Sequence, residues 1–151
     1  LRAINHALTG AVIGLVIGEP VIAVPAALAS HFICDVIPHY GGSDSSDDQV
    51  RSNWFRNLLV VDAVACLILV VLLAAANPKP WLLAAICAFV AAAPDLLSIN
   101  RYLKIRGGHS WRPNLYSKFS GGIQWFERPI GAWVEVAWFT AAIIVLVPFL
   151  R

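Results

Sequence analysis

The chain has 151 residues, of which 59% are hydrophobic and 13% charged, with a net charge of +2. Soluble domains carry roughly 25% charged residues, so the composition excludes an ordinary water-soluble fold. It points instead to one integral membrane domain over residues 1–151. The charge is too small, and the basic residues too scattered, for a nucleic-acid partner.

The apolar runs lack the period-two alternation of a membrane barrel. The expected fold is therefore all-α, a polytopic bundle whose helices satisfy their own backbone polar groups. Proline, glycine and charge divide the chain into five predicted helices, at residues 5–17, 20–37, 54–76, 80–97 and 129–149. Gly18-Glu19-Pro20 turns the first into the second, and Asn77-Pro78-Lys79-Pro80 turns the third into the fourth. Two helical hairpins and a closing helix result. The first two helices fall short of the ~20 residues of a perpendicular span, which leaves a full crossing and a re-entrant course both open. The first run has further spans after it and no small-residue cleavage site, so it does not read as a signal peptide. The lack of any Met reads as a trimmed chain. Cys34, Cys66 and Cys87 stand singly in apolar runs and read as small hydrophobes with no disulfide.

With one crossing per helix, the N-terminus and the loops at 38–53 and 98–128 share a face. Arg2, Arg51, Arg56, Arg101, Lys104, Arg106, Arg112, Lys118 and Arg128 lie there, against only Lys79 and Arg151 opposite. The positive-inside rule makes that face cytoplasmic, so the expected location is a cytoplasmic (inner) membrane, multi-pass. Trp54, Trp81, Trp125 and Trp133 near helix ends fit interfacial positions. The run from Gly41 to Asp48 reads as a polar, solvated loop.

The chemistry-bearing residues gather at the same face. His31 and Asp35 are four apart on one helical face, and Pro38 ends that helix so that His39 can fold back beside them. Imidazole and carboxylate together suit zinc, manganese or iron better than magnesium or calcium; a helix-end cap with two interfacial histidines is the plainer alternative. Folding the first hairpin about Glu19 and Pro20 puts His6 level with Asp35, along matching ridges of Gly10, Gly14 and Gly18 and of Ala23 and Ala27. Folding the second puts Asp62 level with Asp95, with Ala84, Ala88 and Ala91 as its ridge. Two facing carboxylates in a membrane call for a shared cation or proton. His109, Glu127 and Glu135 complete the set as candidates for a general base or for catalysis. Each has a bland alternative, as a surface residue or an internal ion-pair partner.

With these residues in view, the chain resembles the bacterial membrane-bound metal-dependent hydrolases, in which His-x3-Gly leads to His-x3-Asp-x2-Pro-His. Here those are His6 to Gly10 and His31 to Pro38-His39. The resemblance covers the first 40 residues and extends distantly to zinc-dependent phospholipase C and single-strand nucleases. It implies His31, Asp35 and His39 as ligands of a divalent metal, zinc first, joined by His6 and by Asp62 or Asp95. It also implies hydrolysis of a phosphoester in a lipid or membrane-associated substrate at the cytoplasmic interface. The late His-x3-Glu pair of those soluble enzymes is missing, since Ile123 and Gly131 stand four before Glu127 and Glu135. Arg101, Lys104, Arg106 and Arg112 are candidates for a phosphate headgroup, or serve as topology determinants alone. Two rival readings are a proton or metal-ion transporter and a non-catalytic lipid- or partner-binding protein with a structural metal. Against the transporter, the opposite half of the membrane offers only Glu19.

Overall fold

In the computed structural model, which describes residues 1–40, 46–125 and 127–151, every regular element of the described residues is helical. They are α1 (Ala3–Ile17), α2 (Pro20–Val36), α3 (Ser46–Arg51), α4 (Asn53–Ala76), α5 (Trp81–Leu96), α6 (Ile99–Arg106), α7 (Leu115–Ile123), α8 (Gly131–Leu146) and a closing 3-10 turn, Val147–Leu150. Eight α-helices stand where five were expected. The additions are the short helices α3, α6 and α7, which lie in segments read as loops because none carries an apolar run long enough to register. The expected solvated loop is divided: residues 41–45 lie outside the described residues, while Asp47 and Asp48 fall in the first turn of α3.

The helix ends follow local chemistry. Gly18 (φ 66°) and Asn77 (φ 50°) take the left-handed conformation that closes α1 and α4, their N–H groups donating to Gly14 and Leu73 carbonyls. Ser52 caps α4 by accepting from the Phe55 N–H at 3.0 Å, and Asn114 caps α7 by accepting from Ser117 at 2.8 Å. Pro148 has no N–H to continue α8, and the chain finishes as a 3-10 turn.

Two helices are long and apolar enough to cross a membrane, Asn53–Ala76 and Gly131–Leu150. A third span results if α5 and α6, bent by 41° at their junction, count as one broken segment. At about 1.5 Å per residue, α1 (15 residues) and α2 (17 residues) fall short of the ~30 Å hydrocarbon core. By length and composition two or three spans are thus accounted for, and α1 and α2 remain the short apolar helices expected from the sequence. The outer faces agree with a lipid surround: Val60, Val61, Val64, Leu67 and Ile68 along α4 are exposed.

α1 is the centre of the bundle, packed against α5, α2, α8 and α4. The glycine ridge does not seat α2, as the hairpin reading had it; it seats α5. A Cβ on Gly10 would stand 2.2 Å from the Cys87 carbonyl oxygen, and one on Gly14 would stand 2.6 Å from Ala84 Cα. Ala23 and Ala27 of α2 also pack onto Cys87 and Ala91 of α5. Small residues permit close approach but do not say to which neighbour. The three cysteines are free, with Cys34 and Cys87 buried.

Candidate metal centre

The axial packing of α1 on α5 determines which polar residues meet. His6, His31 and Asp95, from α1, α2 and α5, each present a ligand atom, and these atoms all lie within 4.8 Å of one another. His31 Nδ1 lies 2.8 Å from the Ala91 carbonyl oxygen, which can only accept. The proton therefore sits on Nδ1, leaving the Nε2 lone pair to face Asp35 Oδ2 at 3.4 Å and Asp95 Oδ1 at 3.9 Å. A carbonyl holding the far nitrogen of a histidine is the arrangement that orients metal-binding imidazoles.

His6 is fully buried, and its ring lies 4.2 Å from that of His31, tilted by 31°. Its Nε2 is 3.1 Å from Asp35 Oδ1, yet neither ring nitrogen makes an aligned hydrogen bond. Asp35 is the hub beneath the two rings. Its Oδ1 also receives the Leu1 nitrogen at 2.6 Å, and its Oδ2 accepts from Gln124 Nε2 at 3.0 Å. Asp95 is only partly buried, with its side chain 39% exposed.

Asp62, expected level with Asp95, has Arg2 as its ion-pair partner. It lies beside α1, where its carboxylate pairs with Arg2: Oδ1 is 2.9 Å from Nη2, and Oδ2 accepts from Nε at 3.3 Å. Next to this pair, Glu135 reaches from α8 to the start of α1. Its carboxylate accepts from the Arg2 backbone N–H at 3.0 and 3.2 Å and from the Asn5 amide. Arg2 offers no side-chain cap of its own, so a carboxylate from another helix meets the positive end of the α1 dipole.

His39 and Glu127 form a separate pair. His39 Nε2 is 3.5 Å from Glu127 Oε1, its Nδ1–H donates to the Ile37 carbonyl at 2.8 Å, and the two residues make a short parallel bridge. Burial pulls the His39 imidazole pKa down, but the Glu127 carboxylate and the Ile37 carbonyl outweigh it, and the net shift is upward. Gly131 explains why this strap is close: a Cβ there would lie 2.1 Å from the His39 carbonyl carbon and oxygen. His109 is exposed beyond α6, its N–H bonded to the Lys104 carbonyl at 2.9 Å.

The basic residues divide in the same way. Arg106 donates to the Ser52 carbonyl at 3.4 Å and to Asn53 Oδ1 at 3.2 Å, and so ties α6 to the start of α4. Lys104 lies 5.6 Å over the Trp111 ring. Sequence reasoning missed Gln124 as a partner of Asp35, and took Arg2 for a topology charge only. Neither had a signal in spacing, because both contacts cross the bundle between residues far apart in the chain. No protein-family model, curated protein or solved structure matches the chain.

Proposed function

We propose that this chain is a membrane-embedded, metal-dependent hydrolase that cleaves a phosphoester of a lipid or membrane-associated substrate at the cytoplasmic face. The observation that carries the reading is His6: a fully buried imidazole with no aligned partner on either nitrogen, stacked on His31 and beside two carboxylates. Buried polar atoms without partners are costly in any protein, and more so among apolar helices. A divalent cation held by His6, His31 and Asp95 relieves that cost, and imidazole with carboxylate suits zinc, manganese or iron. Such an ion, when bound, acidifies water and stabilises charge on phosphoryl oxygens.

The chain's own groups do the rest. The Ala91 carbonyl holds the His31 tautomer, Asp35 orients His6, and Gln124 fixes Asp35. The exposed side of Asp95 leaves the site open, as catalytic metal sites are and structural ones are not. The test is metal analysis of the detergent-purified chain loaded with zinc, manganese or iron. It is paired with hydrolysis of bis(p-nitrophenyl) phosphate by the wild type, His31→Ala and Asp35→Ala. Stoichiometric metal and turnover, both lost in His31→Ala, support the proposal. Absence of metal, with activity unchanged in Asp35→Ala, sinks it.

One observation favours a second reading, a structural metal clip: the three ligands come from three different helices. A clip predicts that chelation unfolds the bundle and that no phosphoester is cleaved.

A further inference from the structure

α7 is short, lies outside the long apolar spans, and packs on α2. Near its start the Tyr116 hydroxyl donates to the Pro94 carbonyl at 2.8 Å, one residue before Asp95. In its middle Phe119 meets Phe32 edge-on, with ring centroids 5.6 Å apart, one residue after His31. Just past its end Gln124 donates to Asp35 at 3.0 Å. Three contacts in chain order thus bind the helix and the residue after it to α5 and α2, two of the three helices that carry the site.

α7 also carries exposed apolar side chains. Leu115 is 89% exposed and Phe119 54%, four residues apart and so on one stripe, with the exposed Lys118 beside them. No residue of α7 is fully buried, and Phe119 stays exposed even though it meets Phe32. An apolar stripe with a lysine at its edge is the pattern of a helix lying in the headgroup region of a bilayer, where the lysine stem runs along apolar surface and its ammonium meets phosphate. The same character continues past Asp95, where Leu96, Leu97, Ile99 and Leu103 are exposed at 55%, 61%, 52% and 58%. Asp95, the exposed member of the ligand set, therefore stands between two apolar flanks.

We propose that α7 is a roof seated in the bilayer interface over the metal centre, and that substrate reaches Asp95 sideways from the bilayer as an amphiphile. The substrate's chains lie along Leu96, Leu97, Leu115 and Phe119. The substrate half rests on the hydrolase reading; the seating of α7 does not. In the reaction, water adds at phosphorus and one P–O ester bond breaks. The departing alkoxide takes a proton released from the attacking water, so no co-reactant besides water is required.

The test uses the full-length chain in proteoliposomes of phosphatidylethanolamine and phosphatidylglycerol. A nitroxide on Leu115→Cys, in a chain whose three native cysteines are serine, reports whether oxygen or a water-soluble nickel chelate relaxes it more. Oxygen is expected; greater relaxation by nickel overturns the seating. In parallel, metal-loaded wild type and the variant Leu115→Ser are compared on vesicle phospholipid and on bis(p-nitrophenyl) phosphate. The variant is expected to lose at least tenfold on phospholipid while keeping metal content and staying within twofold on the soluble diester. Equal loss on both substrates, or no loss on phospholipid, overturns sideways entry. A metal-loaded wild type that cleaves neither substrate overturns the hydrolase reading and the substrate half with it, while the nitroxide result still decides the seating.

Discussion

Two polar clusters lie side by side at the head of α1, and they differ in how their charges are matched. In the first, Arg2 meets Asp62, and the Arg2 and Asn5 N–H groups meet Glu135, so each carboxylate has donors supplied by the chain. In the second, His6 and His31 converge on Asp35 and Asp95, and the two nitrogens of His6 have no aligned partner. Each has one partly exposed member, Arg2 or Asp95, and both draw on several helices. The first caps and pins α1, although the buried Asn5 Oδ1 within it lacks a hydrogen-bond partner. The second brings two buried imidazoles together beside two carboxylates, and it is on this cluster that the proposed metal reading rests.

The contrast breaks first at His31. Replacing it with Ala should reduce bound metal to background. It should also lower metal-dependent hydrolysis by more than the roughly 10–100-fold that an outer partner contributes; elemental analysis and turnover of the same preparation check this. Asp35→Asn keeps the shape of the hub and removes its charge. Its expected effect is a loss of roughly 10–100-fold in metal affinity, read by competition with a chelating dye. Glu135→Ala should act on the other cluster alone. It leaves buried donors at the start of α1 unsatisfied, at a cost of about 1–3 kcal/mol in stability, with metal stoichiometry unchanged. Thermal unfolding in detergent, alongside metal analysis, separates the two effects; lost metal in a folded Glu135→Ala chain would merge the clusters into one.

The smallest effect belongs to the strap. The folded state raises the His39 pKa, so protonation favours the folded chain. That contribution is fully present below the ordinary histidine value of about 6.5, and it is lost as pH rises through the raised value. Glu127 is half-exposed, which limits the pair to under about 1 kcal/mol. Melting temperatures of wild type and Glu127→Gln should differ at pH 5.5 and converge by pH 8.5; a constant difference would assign the contact to packing.

Much of this layout was legible in the sequence. Apolar runs bounded by proline and glycine correspond to α1, α2, α4, α5 and α8, and folding each hairpin about its turn placed His6 level with Asp35, where the structure has them 3.1 Å apart. What could not be read was which hairpin face meets which. The Gly10 and Gly14 ridge looks the same whether α2 or α5 lies against it, and only the structure shows α5. That one choice brings Asp95 to His31 and leaves Asp62 to Arg2. α3, α6 and α7 escaped because helices of six to nine residues carry too few turns for a periodic signal. Glu135 has a plain physical role that its spacing from Glu127 concealed, since its partners lie more than a hundred residues earlier in the chain.

The position of Glu135 also bears on the order in which the protein assembles. Synthesis runs from the N-terminus, so His6, His31 and Asp95 have all been made some forty residues before the carboxylate that caps α1. A nascent chain ending before α8 holds every ligand of the candidate centre, yet leaves the first turn of its central helix unsatisfied among apolar neighbours. Arrival of α8 completes α1, and the maturation of the head of the bundle thereby waits on the synthesis of α8.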